Sequence, residues 1–170
     1  MEAQRKGKSL DWRLANNDKK DIAVPVSHGP VIKLINLPAI NSDDSDEHSR
    51  HLRNLVDGVV PVINHVVRFH HLQAFQRIHV FWLDPRQSLE DAGRQLLEFL
   101  AGLSGTRGLW VPLTSSHSAL VNAMSMVLPG LQCLDLSSVV MVYIGDHGNC
   151  MPMRRMADVC RMPFYFQASL

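Results

Sequence analysis

Side chains able to do acid–base or nucleophilic chemistry gather in three short polar clusters: Asp84; Ser115, Ser116 and His117; and Asp146 with His147. Serine, histidine and aspartate supply a nucleophile, a base and an orienting carboxylate. Ser116, or Ser115, with His147 and Asp84 therefore forms a candidate hydrolase set, and Asp146 is a second possible orienter. The G-x-S-x-G elbow that exposes a nucleophilic serine on a strand-to-helix turn is absent. Each residue also has a simpler use: the serines suit helix caps, and Asp84-Pro85 suits a turn.

The clusters matter because of what precedes them. Ile78 to Leu83, Leu109 to Leu113 and Val139 to Ile144 are apolar runs of strand length, and each runs directly into its polar cluster. In a parallel sheet the trailing ends of such strands share one edge, where α/β folds hold their ligands. Backbone N–H groups at the helix starts behind Asp84, Ser115 and Gly148 would favour an anion there. Arg86, Arg154 and Arg155 are close enough in sequence to neutralise it. His117 and Asp146 complete the polar lining.

Further elements frame this edge. Val31 to Leu37 reads as a strand buried on both faces, and Ile22 to Val26, interrupted by Pro25, as an edge strand at most. The acidic stretch Asn41 to Glu47 suits a helix start. Behind it Leu52, Leu55, Val56, Val59, Val60, Ile63, Val66 and Val67 recur at helical spacing. Gly58 and Pro61 inside that stripe predict a kink or two helices meeting. Ser88 with Asp91 predicts a capping box, followed by a helical face of Leu89, Ala92, Gly93, Leu96, Leu100 and Leu103. Pro112 predicts an edge position or a bulge for its strand. Leu120, Val121, Met124 and Leu128 predict a helix that Pro129-Gly130 ends. Val139 to Ile144, the most apolar run, is the expected sheet centre. Pro152 fits the first turn of a short helix, and Phe164 to Phe166 a last strand. The two connections with one helix of ordinary length suit right-handed crossovers.

Alternating strands and helices predict an α/β fold: a single Rossmann-like domain over residues 21–170, with a mostly parallel central sheet and helices on both faces. Residues 1–20, polar and rich in Lys and Arg, read as a flexible basic arm. A hydrophobic content of 46% with 19% charged residues is that of a globular chain. The formal net charge of +1 provides no global basic field and argues against non-specific nucleic-acid binding. The cysteines Cys133, Cys150 and Cys160 are odd in number and scattered, which fits a reducing compartment. No apolar run approaches bilayer length and the N-terminus lacks a secretory pattern, so a cytoplasmic protein is expected.

No dinucleotide or phosphate-loop glycine motif occurs, and Gly102 to Gly108 precedes a strand rather than following one. Nine histidines invite a zinc reading, but no C-x-x-C or H-E-x-x-H spacing supports it. Asp146-His147-Gly148 resembles the Asp-His-Gly metal pair of alkaline phosphatases and sulfatases. The further carboxylates and nucleophile of those enzymes have no counterpart here, and a local turn is the preferred reading. No metal and no cofactor is expected.

Ile78-His79-Val80-Phe81, Pro85 and Gly93-Arg94, preceded by a strand and a long helix, are similar to the strand–Pro–helix–Gly-Arg signature of SAVED and CARF-type sensor domains. That resemblance implies a Rossmann-like fold, a cyclic-oligonucleotide ligand, and Pro85, Ser88 and Arg94 as positions near it. Asp84 departs from the small residue common there. The expected function is a non-catalytic sensing or interaction module that binds a small anionic or nucleotide ligand, or a protein, at the strand edge. The alternatives are the small Ser-His-Asp hydrolase and a structural subunit using the methionine-rich C-terminal surface.

Overall fold

A computed structural model describes residues 22–24, 30–38 and 47–169. The arm expected at 1–20 and most of the acidic helix start lie outside those residues. The elements follow one another as β1 (Ile22–Val24), β2 (Val31–Ile35), α1 (Glu47–Phe69), β3 (Arg77–Trp82), α2 (Leu89–Leu103), β4 (Gly108–Leu113), α3 (His117–Leu131), β5 (Val139–Gly145), α4 (His147–Val159) and β6 (Phe164–Ala168). The strands lie side by side in chain order; β1 is antiparallel to β2, and β2 to β6 are all parallel. The fold is the expected α/β, Rossmann-like class, with helices on both faces.

The two faces follow from strand alternation. Ile78, Val80 and Trp82 of β3 align with Ile32 and Leu34 of β2 and with Leu109, Val111 and Leu113 of β4. These, with Val140, Val142 and Ile144, pack against Leu52, Val56, Val59, Ile63, Val66 and Val67 of α1. The alternate residues Phe81, Trp110, Met141 and Tyr143 face α2, α3 and α4. Most of the C-terminal methionines are core here: Met141, Met153, Met156 and Met162 are buried, and Met151 is exposed.

One helix thus covers a whole face among the described residues. It does so by lying diagonally. Near its start His48 meets Arg86 beyond the end of β3, and just past its end His70 packs at a tilt against Tyr165 of β6, ring centroids 4.5 Å apart. A helix of 23 residues is about 34 Å long, against about 19 Å across five parallel strands. The helix runs unbroken through Pro61, so two helices do not form; Pro61 is exposed, and the Asp57 carbonyl it cannot satisfy lies one turn back.

This placement breaks uniform winding. All four crossovers step the same way across the sheet, yet α1 lies on the face opposite α2, α3 and α4. The β2–α1–β3 connection therefore has the opposite hand to the other three, so the right-handed rule cannot hold throughout.

Four further expectations are corrected. Strand β4, with Pro112, is internal rather than an edge. Pro112 points at β5, and the β4–β5 pairing stops at Trp110 and Met141, so no ladder bond is lost to it. Strand β5 sits next to the edge strand β6 rather than at the centre. Helix α3 passes Pro129-Gly130 and ends at Leu131, while α4 starts at His147 and places Pro152 beyond its first turn. Gly93 makes a helix–helix contact, since a Cβ there would meet Met126 and lie 2.9 Å from Val127 Cγ1 of α3.

Replacing exposed Pro61 with Ala restores a donor inside α1 and is expected to stabilise the fold by about 1–3 kcal/mol. Ile63→Ala, which opens a cavity under the one helix on that face, should cost about 2–5 kcal/mol. Urea unfolding of both variants checks the opposite signs.

Candidate functional site

The carboxyl ends of β3, β4 and β5 meet on one rim, because those strands are adjacent and parallel. Helices α2, α3 and α4 all begin there, each with its own cap. Ser88 accepts from the Asp91 N–H, Ser116 from the Ala119 N–H and Asp146 from the Asn149 N–H. Such caps use part of the donor capacity of each helix start. The rim has two differently built ends.

At the β2/β3 end the helix that follows β2 lies on one face of the sheet and the helix that follows β3 on the other. Open α/β sheets hold ligands outside the strand ends where successive connections change face. Asn36, just past β2, takes a left-handed φ of 62°, a conformation asparagine tolerates. Its Nδ2 donates to Trp82 O at 3.0 Å and to Gln95 Oε1 at 2.7 Å, tying β2, β3 and α2 together. Asp84 is nearly buried. Its Oδ1 accepts from the Arg86 backbone N–H at 2.9 Å and from Nε at 3.0 Å, and its Oδ2 from Arg86 NH2 at 2.7 Å. The paired fork fixes the guanidinium plane. The side-chain bonds from Arg86 hold the Asp84 carboxyl below its ordinary value, with burial opposing. Arg86 NH2 also lies 2.9 Å from His48 Nε2 of α1. With a side chain 60% exposed, Arg86 remains open to solvent while the largely buried Asp84 anchors it.

Pro85 is half-buried in the turn that leads from Asp84. Ser88 caps α2 and also bonds Asp91 Oδ2 at 2.8 Å, as the capping-box spacing predicts. Arg94 pairs with Asp91 at 2.6 Å on the exposed side of the first α2 turns.

The β4/β5 end is built from aromatic and histidine rings. Ser115 is exposed in the turn, and Ser116 Oγ lies 3.2 Å from Ser118 Oγ as well as capping α3. His117 packs edge-on to Tyr143 at 5.6 Å, and His147 packs on Phe166 at 5.1 Å. Asp146 is held by Asn149 through its backbone N–H at 2.7 Å and through Nδ2, which lowers its carboxyl pKa. The Tyr143 hydroxyl and His117 Nδ1 are buried without a partner of hydrogen-bonding geometry. Burial raises the Tyr143 phenol well above its ordinary value, with Asp146 and Cys150 adding to the rise and the Asp146 N–H opposing part of it. Gly145 makes room for this ring: a Cβ there would collide with Tyr143 and lie 2.8 Å from His117 Cε1.

Asp84, Ser116 and His147 therefore share the rim but are directed to separate partners: Arg86, the α3 backbone and Phe166. No hydrogen bond links them among the described residues. Arg154 lies away from the rim, over the Phe164 ring at 5.1 Å where β6 begins. Among the described residues no three His, Cys, Asp or Glu side chains group to hold a metal ion, and no helix is long and apolar enough to cross a membrane.

His48, Asn36 and Gln95 were not singled out as rim residues by spacing alone, since each comes from a different element. Asn36 carried one legible signal, an asparagine closing an apolar strand. No protein-family model, no curated protein and no solved structure matches the chain, so its chemistry rests on these residues.

Asp84→Asn is expected to cost about 1–2 kcal/mol at neutral pH by weakening charge-assisted bonds. Because folding lowers the Asp84 pKa, its contribution is complete above the unfolded value of about 4 and disappears as pH falls through the lower folded value. The stability gap between native and variant protein should therefore close in acid, as read by denaturant melts across pH. Gly145→Ala should cost about 1–3 kcal/mol through overpacking against Tyr143, measurable in the same melts.

Proposed function

We propose that this protein is a non-catalytic binding module that takes a small anionic ligand at the β2/β3 end of the rim. One observation carries the reading: Arg86, with a side chain 60% exposed just past the end of β3, has its plane set by a nearly buried carboxylate and its NH2 beside His48. A bidentate carboxylate partner fixes the plane and direction of an arginine's guanidinium. The start of α2 lies beside it and adds a favourable dipole for negative charge. Cyclic oligonucleotides, the ligands implied by the SAVED and CARF resemblance, belong to this chemical class. Pro85, Ser88 and Arg94 flank Arg86 on the same segment.

The hydrolase alternative receives less support. It needs Ser116 to leave its cap and His147 to turn from Phe166, and Asp84 to exchange Arg86 for a histidine. A role as a structural subunit through exposed methionines would rest mainly on Met151 and Met126.

Titration calorimetry with pyrophosphate and cyclic dinucleotides at low salt tests the proposal. At least one should bind, and Arg86→Ala should weaken it about 10- to 100-fold, the loss of a charge-assisted bond pair. Arg86→Lys, which keeps charge but not the fork, should fall between. Binding unchanged in Arg86→Ala, or no binding by any of these at millimolar concentration, would sink it.

A further inference from the structure

The opposite edge of the sheet holds a second cationic feature. Ala74, Phe75 and Gln76, which lead into β3, Arg77 and His79 of β3, and Arg107 before β4 line a cavity of about 380 Å³. That volume falls within the roughly 300–1,000 Å³ of small-molecule sites, and is many times the ~30 Å³ share of one water. Arg107 lies over the Phe75 ring, 4.9 Å from its centroid, so the ring fixes the guanidinium at the wall. Among the described residues neither Arg77 nor Arg107 has a carboxylate partner. Arg86 and Arg94, by contrast, are both paired. Among the described residues no acidic side chain lines the cavity.

From this arrangement we infer that the cavity is a binding site for a small phosphate monoester. Two guanidiniums in one lining match the several oxygens of a dianionic phosphoryl group, each able to donate two parallel N–H bonds. His79 adds a third nitrogen-bearing side chain. The cavity is too large for a bare phosphate alone, which leaves room for the organic part of the ester beside Phe75 and Ala74. This site is separate from the rim. Arg77 opens β3 and Arg86 follows its end, so the two lie about 20–30 Å apart along the strand direction at ~3.3 Å per residue.

The test is calorimetry of the full chain with AMP and, in a separate arm, with inorganic phosphate, each repeated on Arg77→Gln, Arg107→Gln and Arg86→Ala. The expected result is AMP binding at least tenfold tighter than phosphate, weakened at least tenfold by either Arg77→Gln or Arg107→Gln and unchanged by Arg86→Ala. Arg107→Lys, retaining charge, covers the case in which the glutamine variant fails to fold, and should weaken binding by less. AMP affinity that falls only with Arg86→Ala would place the ligand at the rim and overturn the inference while leaving the rim proposal standing. Absence of AMP binding at millimolar concentration would also overturn it. Equal affinity for phosphate and AMP would remove the ester and reduce the site to an adventitious ion only.

Discussion

A parallel sheet has to lose both faces to apolar partners, and among the described residues one face is left to a single helix. Everything about α1 follows from that load. It is long because it must reach from the exit of β3 to Tyr165 of β6. It is strongly one-sided because Leu52, Val56, Val59, Ile63, Val66 and Val67 all point at the sheet, leaving Pro61 and Gly58 on the open side. A proline facing water costs a helix bond that the solvent partly replaces; one facing the sheet would strand a carbonyl in the core. The helix tolerates Pro61 for that reason and runs through it.

The same load shapes the rim. With α1 on one face and the other described helices on the opposite face, successive connections change face at the ends of β2 and β3. Polar groups gather at that switch. Asn36 bridges the strand ends and α2; Asp84 and Arg86 close the β3 turn; His48 arrives from α1. At the β4/β5 end both connections leave on one face. Rings rather than ions fill that space, and two polar atoms, the Tyr143 hydroxyl and His117 Nδ1, are left without partners. Packing of aromatic rings outweighs those two missing bonds.

Much of the fold was legible because burial on both faces writes itself as an unbroken apolar run. The runs beginning at Ile78, Leu109 and Val139 became β3, β4 and β5 within a residue or so at each end. The Ser88 cap of α2 also appeared as read, with the Ser88 hydroxyl bonding Asp91 in place of the reciprocal backbone bond of a full capping box. What those runs cannot encode is lateral order. Val139 to Ile144 is the most apolar because helices cover it on both faces, and this says nothing of how many strands lie beyond it. Pro112 misled for a related reason: proline excludes a strand only from positions where its missing donor would face a partner, and β5 has already separated there. The hand of the β2–α1–β3 connection was likewise hidden, since one amphipathic stripe serves either face.

The candidate site was half legible, and the division is instructive. Residues that act through local geometry, the caps and turns at Asp84, Ser88, Ser116 and Asp146, can be read because partner and residue are within a few positions of each other. Residues that act across elements, such as His48 against Arg86 or Arg107 over Phe75, depend on the topology that the spacing leaves open. This bears on chemistry as well as on prediction. A serine whose oxygen is already accepting a backbone N–H has a lone pair committed to structure, and a carboxylate saturated by arginine cannot also orient a histidine without giving up that partner. Nucleophilic catalysis asks both groups to be available to each other, whereas ion recognition asks only that a guanidinium be rigid and face solvent. The capped serine, the occupied carboxylate and the fixed arginine all bias this rim toward recognition, and a rearrangement that assembled the hydrolase set would have to dismantle the α3 cap and the β3 turn together.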